Sequence, residues 1–431
     1  MRERGKLLVS RTRVILGVQF VLSALLILMP YHSSLNQLVQ MGIMALSALF
    51  YVYKPVSAIS SILMFNILPT TILTATNPSG NGVGVYYLGY KMSWVLLVIM
   101  ACIYILQNRN HFAVKQQKWL CIGFGTHMMI SRFWAWDATY YGDTFFLLIA
   151  IYCITPLLIH SASDVQFLWI SFISAGLLLT VRMLFFTLNV GTIQQVEVAA
   201  DSNYISMNTI IILTLCMAYF FGYQQKKSWL ISAILMVSVI GSVFLIVSYA
   251  SRTAFLILIA YMIMVTGTML RENLKAIIAL VIIACITIYV VVSAGIFDYL
   301  ASDFFEENFS TGNGRTLLWA QYIDEFLNEN LLLKVFGRGF HVYRAKFVGF
   351  NLFAHNSYLS ILIDFGLIGL CLFVAGTVKS VCELWKKRRI LLAIGLIIVQ
   401  VFSFALDGFQ DAMSACYVAF MFSAASDLGE Q

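Results

Sequence analysis

Charge is what this chain has least of. Only 11% of its 431 residues are Asp, Glu, Lys or Arg, whereas soluble domains carry about 25%. Hydrophobic residues make up 61% and the mean hydropathy is +0.87. These values exclude an ordinary soluble domain and place the chain among polytopic membrane proteins. Proline is also scarce, at 5 against 27 glycines. Chemistry-bearing motifs are missing as well. None of the 8 cysteines forms a CxxC pair, and nearly all lie in apolar runs, so they read as small buried hydrophobes. The 6 histidines make no HExxH and no His/Cys cluster, which argues against zinc. There is no DxD to hold a metal-bound nucleotide sugar and no phosphate-binding loop for ATP. No metal and no cofactor is therefore expected. The formal charge of +7 is spread over many short turns, which speaks against a nucleic-acid surface.

What is present is a series of apolar runs, most of them long enough to span a bilayer as helices. They fall at about 13–30, 35–53, 56–75, 85–106, 117–134, 144–160, 164–188, 204–222, 228–248, 252–270, 275–297, 356–380, 389–406 and 411–425. The shorter runs at 117–134 and 411–425 also fit re-entrant segments, so the expectation is an all-α polytopic membrane protein of 12–14 transmembrane helices. The first run ends in "LMPYHSS" without a small-residue cleavage site and reads as a span rather than a signal peptide.

Lys and Arg orient these spans. Arg2, Arg4, Lys6, Arg11 and Arg13 precede the first, and "NRNHFAVKQQK", "YQQKKSW", "RENLK" and "ELWKKRR" fill later turns. With both termini cytoplasmic, every one of these lands inside. The one large loop, 298–355, is then extracytoplasmic. It carries its own amphipathic helix: apolar residues at 318, 319, 322, 323, 326 and 327 are interleaved with Asp324 and Glu325, and "FGRGF" follows as a stop. The chain divides accordingly into N-terminal spans (1–250), spans leading to the loop (251–297), the loop (298–355) and C-terminal spans (356–431). The expected location is a bacterial cytoplasmic membrane, with the functional face outward.

Three residues stand out on that outer side. Arg252, Arg315 and His355 each come just before a helix start or begin one. Helix N-termini present unpaired N–H groups and a partial positive charge, and arginine is a permanently charged, forked donor suited to phosphate. Together they suggest an anion site, with a diphosphate as the natural guess. Each taken singly also fits a bland role: a snorkelling helix-end arginine, a partner for Glu306 or Glu307, a structural histidine. Asp364 lies nine residues past His355, about 13 Å further along a helix. A carboxylate there marks either function or helix packing. "FWAWDATYYGD" (133–143) fits a sugar-binding surface, or a belt of aromatics at the membrane surface.

Over about 250–370 the sequence resembles the O-antigen ligase and O-antigen polymerase superfamily of bacterial membrane glycosyltransferases. The resemblance runs through "SYASRTAFLI", "GNGRTLLWAQYIDEF", "LLKVFGRGF" and "AHNSYLSILIDFGLIGL", in that order. It implies transfer of a glycan from undecaprenyl diphosphate to a sugar hydroxyl outside the membrane, metal-independent and inverting. Carried onto these positions, Arg252 and Arg315 would hold the diphosphate, and His355 would act as base or as a further diphosphate contact. Arg338, Asn356 and Tyr358, in the G-x-G and HN-x-Y pieces, would contact substrate.

Three activities share those residues and differ in acceptor: a polysaccharide repeat-unit polymerase, a ligase acting on lipid A–core, and a protein O-oligosaccharyltransferase. The polymerase is preferred because polymerases occur in more settings and no added domain is present to recruit a protein. The partners implied are the lipid-linked oligosaccharide, an acceptor glycan or lipid A–core, membrane lipid and a chain-length regulator. A flippase for the same lipid-linked sugars would instead show repeated halves, broken helices and several charges at mid-membrane. A passive scaffold would leave the loop arginines and His355 unexplained.

Overall fold

The computed structural model describes residues 14–25, 54–70, 97–104, 115–135, 143–190, 202–222, 229–248, 252–269, 314–340, 342–343, 345–347 and 350–429, with scattered positions within 38–51 and 278–293 and at 95 and 106. Most of the expected spans at 35–53, 85–106 and 275–297 lies outside the described residues, as do 136–142 and the acidic start of the loop. The elements are α1 (Val14–Leu25), α2 (Ser57–Thr70), α3 (Gln116–Ser131), α4 (Asp143–Leu158), α5 (Ala162–Val190), α6 (Ser202–Gly222), α7 (Trp229–Ser248) and α8 (Arg252–Met269). Then come α9 (Arg315–Asn328), α10 (Leu331–Phe336), β1 (Ala345–Phe347), β2 (Phe350–Leu352), α11 (Ser357–Lys386), α12 (Ile390–Phe402) and α13 (Ala412–Asp427).

Helix dominates because the apolar runs hold few helix breakers, and in lipid a helix satisfies its own backbone. Ala162–Val181, Asn203–Phe221 and Ser357–Lys386 are long and apolar enough to cross a membrane. Shorter apolar helices pack among them, including Phe145–Leu158, Ile234–Ile246, Thr253–Thr268 and Ile390–Phe402. The protein is thus an all-α membrane protein, and the described helix bounds follow the hydropathy runs to within a few residues in most cases. α6 is apolar on all sides and is packed by α5, α7, α8, α12 and α13, as a helix buried on every face must be.

One end of the bundle is basic. Lys54 pairs with Asp164 at 2.9 Å. Lys118 pairs with Asp427 at 2.6 Å and also reaches the Ile159 carbonyl. Lys387 donates to the carbonyls of Ala425 and Ser426. Lys118 and Lys387 thus cap the last turn of α13, where a helix concentrates partial negative charge.

Two features of the other end were not expected. A small antiparallel hairpin, β1–β2, pairs Ala345 with Leu352 and Phe347 with Phe350. More consequentially, α11 is broken. Gly366 has φ 64° and ψ −168° inside it, where the sequence suggested a continuous helix. The turn after α10 fills the break. The N–H of Arg338 donates to the Ile363 carbonyl (2.9 Å) and that of Gly339 to the Asp364 carbonyl (2.8 Å), while the His127 ring meets the Phe365 carbonyl at 2.8 Å. Carbonyls freed by the break thus find new partners, which matters because an orphan backbone group in lipid costs several kcal/mol. Both glycines of the contact are required. A Cβ on Gly337 (φ 83°) would lie 2.3 Å from the Asp364 carbonyl oxygen, and one on Gly366 would lie 2.4 Å from that of Val335.

Candidate functional site

The amphipathic helix expected in the loop is α9, and it starts at Arg315 itself after Gly314 in the left-handed conformation (φ 80°). Its inward face carries Leu318 and Tyr322. These form a small core with Ala345, Ala354 and Ile363, flanked by Phe326, Tyr343 and Leu359. The loop therefore folds onto the first turns of α11. The Trp319 indole donates to the Ala354 carbonyl at 2.8 Å. Arg315 lies one helical turn before Trp319, and His355 is the residue next to Ala354. Two of the three residues singled out from sequence are thus brought to one place. The third, Arg252, is the first residue of α8; its side chain lies outside the described positions.

His355 has φ 47°, a left-handed conformation that non-glycine residues rarely adopt. Asp407 holds it there. This carboxylate is 1% exposed. It accepts the His355 N–H at 3.0 Å, the Asn356 N–H at 3.2 Å and the Ser360 hydroxyl. Burial pushes the Asp407 carboxyl above the ordinary range; the Ser360 hydroxyl, the His355 ring and the two N–H groups pull it back without cancelling that effect. Beside it, the N–H and hydroxyl of Ser357 bond the carbonyls of Ser403 and Leu406. The head of α11 is therefore clamped to the α12–α13 turn.

Tyr322 joins the same cluster from the loop. Burial first, then the Asp364 and Asp407 carboxylates, push its hydroxyl strongly upward. Asp364 is itself buried. It lies two residues before the break, so its place is beneath the loop helix rather than simply deep in an unbroken span.

The remaining residues suggested from sequence have internal partners. The Arg338 guanidinium bonds Glu325 and Glu329 on the α9 side and lies over the Tyr343 ring, 5.2 Å from its centroid. The Asn356 side chain caps α11 by accepting the N–H groups of Tyr358 and Leu359. The Tyr358 hydroxyl donates to the Gln400 side chain at 3.0 Å. All three hold the site's framework together.

Sequence reasoning missed Asp407 and Tyr322. The signal for Asp407 was an aspartate pair, "DGFQD", in an otherwise apolar stretch at 407–411; an ionisable residue there invites a search for its partner. Tyr322 was counted only as an apolar position of the amphipathic pattern.

No curated protein matches the chain. Residues 237–374 match a family model described as O-antigen ligase. The match begins in α7 and ends two turns past the break in α11. It takes in Arg252, Arg315, Arg338 and His355, and it leaves Asp407 outside. Over these residues, about a third of its length, the chain is similar to the O-antigen ligase family, which supports the resemblance read from the sequence.

Proposed function

We propose that the protein is a polysaccharide repeat-unit polymerase of a bacterial cytoplasmic membrane. In this reading the donor is a glycan on undecaprenyl diphosphate and the acceptor is a sugar hydroxyl. The observation that carries it is the junction of α9 with α11, where Trp319, one turn after Arg315, bonds the Ala354 carbonyl beside His355, at the head of a helix clamped by Asp407. α13, whose 16 residues run from Ala412, capped by Asp411, to Asp427, rises about 24 Å. Asp407 and the His355 backbone it holds therefore lie near the outer edge of a hydrocarbon layer about 30 Å thick, the level of a lipid-borne diphosphate.

The chemistry follows from those groups. The acceptor hydroxyl oxygen attacks the anomeric carbon. The bond from that carbon to the diphosphate oxygen breaks, and the diphosphate leaves with the electron pair. Arg315 and Arg252 stabilise the charge that develops on it, as fixed cations in a water-poor site do effectively. The His355 imidazole takes the hydroxyl proton. Attack opposite the leaving group inverts the anomeric centre, and no metal is called for.

The broken helix α11 is a feature also expected of a flippase. Here the break faces the Gly337–Gly339 backbone and His127, and its carbonyls at 363, 364 and 365 are already bonded. That leaves them poorly placed to coordinate an ion, and favours the enzyme over the transporter.

Purified protein in vesicles, given lipid-linked repeat units alone, tests the reading. A ladder of lengthening glycans, lost in Arg252→Ala, Arg315→Ala and His355→Ala, is the expected result. Product formed only after lipid A–core is added would make the protein a ligase. Near-normal product from all three variants would refute the site.

A further inference from the structure

We infer that the C-terminal end of α9 and the whole of α10 are seated in membrane lipid, with Leu327, Leu331, Leu332 and Phe336 in contact with hydrocarbon chains. Single exposed leucines are ordinary on protein surfaces, but here four large apolar residues are exposed within ten positions. Leu331 is 76% and Leu332 71% exposed.

Height in the bundle says what covers them. α10 packs on α11, and the turn after it enters the break at Gly366. The 20 residues of α11 beyond Gly366 rise about 30 Å, the thickness of the hydrocarbon layer. α10 therefore lies at the outer boundary of that layer rather than out in the water. The Phe336 ring is at the same height, 6.4 Å from His127 near the last turn of α3 and 6.0 Å from Trp134 just past its end. On that same turn Met129 and Ile130 are exposed, Phe133 just beyond it is 81% exposed, and Leu367, next after the break, is exposed too. The loop's apolar face thus meets the apolar outer surface of the bundle.

The charged groups of the segment have partners within the protein. Arg338 takes up Glu325 and Glu329, and the Lys334 ammonium folds back onto the Leu327 carbonyl at 2.7 Å. What remains facing outward is an interfacial apolar face, of the kind that sinks into the boundary between headgroups and acyl chains. On the reading given above, this seat would hold Arg315 and His355 at the level of the lipid-borne diphosphate.

The test uses the full chain with its native cysteines replaced, a single cysteine introduced as Leu331→Cys, Leu332→Cys or Asp324→Cys, and an environment-sensitive fluorophore attached. The protein is reconstituted into phosphatidylcholine–phosphatidylglycerol vesicles. Probes at 331 and 332 are expected to be quenched severalfold more by a lipid carrying a nitroxide near the headgroup than by an aqueous nickel chelate, with the order reversed at 324. Equal aqueous quenching at 332 and 324 would overturn the inference. Shielding of 332 from both quenchers would also overturn it, in favour of a covering protein surface. The probes report whether or not the protein transfers glycan, so failure of this inference and failure of the polymerase reading are separable. If both hold, Leu331→Glu combined with Leu332→Glu lowers transfer in vesicles at least severalfold.

Discussion

A left-handed histidine at the head of a helix is a costly choice, since the conformation is disfavoured by roughly 1–2 kcal/mol for a residue with a Cβ. His355 occupies it, and the Asp407 clamp offsets the cost. This permits a substitution that separates structure from chemistry. His355→Gly removes the imidazole while relieving the backbone strain. The variant is expected to melt at or above the parent's temperature in detergent, yet to lose glycan transfer by about 10²–10⁴-fold, the range of a missing general base. Transfer that survives in this variant would remove His355 from the chemistry. A second residue-scale prediction concerns pH. The Asp411 carboxyl, at the N-cap of α13, is pushed up to about 6 from 3.8, chiefly by burial. The folded state thus holds this proton more tightly than the unfolded chain. Its contribution to stability is full below pH 4 and is lost as pH rises through about 6. Asp411→Asn keeps a good cap and does not titrate. The melting temperature of the parent relative to this variant should therefore fall between pH 4 and 6 and level off above; a pH-independent difference would contradict the shift. At this scale the sequence was only half legible. Arg315 and His355 could be read because each marks a helix head, a local signal. Asp407 could not, because its contact with His355 joins residues 52 positions apart.

Elements tell a similar story for a different reason. Hydropathy located α5 to α8 and α11 to α13 because a buried or lipid-facing helix must be apolar along its whole length. The break in α11 left no such mark. Gly366 sits in "DFGLIGL", where glycine reads equally well as a site of close helix packing. Its φ of 64° has meaning only against Gly337, 29 residues earlier and on another element. The pairing of α9 with the turn after α10 is likewise visible only in three dimensions. Arg338 there bonds two carboxylates, with Glu329 keeping 9% of its side-chain exposure and Arg338 25%. Arg338→Met strands both carboxylates. A loss of about 2–3 kcal/mol is expected, somewhat below the 3–5 kcal/mol typical of breaking a fully buried pair, and the loop should become more open to protease. Adding Glu329→Gln removes the more buried of the stranded charges and should restore much of the melting temperature. If the double variant is no more stable than Arg338→Met alone, the ion pair does not hold the loop.

For the whole molecule, the distribution of charge sets direction. Lys54, Lys118 and Lys387 gather at one end with Asp164 and Asp427. The cluster of Arg315, Tyr322, His355 and Asp407 lies at the other, with the length of α11 between them. The separation is legible in sequence because it depends on the composition of turns rather than on contacts, and the tendency of Lys and Arg to stay on the cytoplasmic side makes the lysine end the expected inner one. It yields a sharp expectation. A cysteine introduced as Asp324→Cys, on the water-facing side of α9, should react with a membrane-impermeant maleimide in intact cells. One introduced as Arg388→Cys, in the tight turn between α11 and α12, should react only after the membrane is opened. Reversal of that pattern would place the His355 cluster in the cytoplasm, where the polymerase reading fails, since the loop would then face the wrong compartment for an outward-presented lipid-linked glycan. Labelling of both positions in intact cells would contradict the bundle itself, because α11, with 20 residues beyond its break, would no longer separate two aqueous phases.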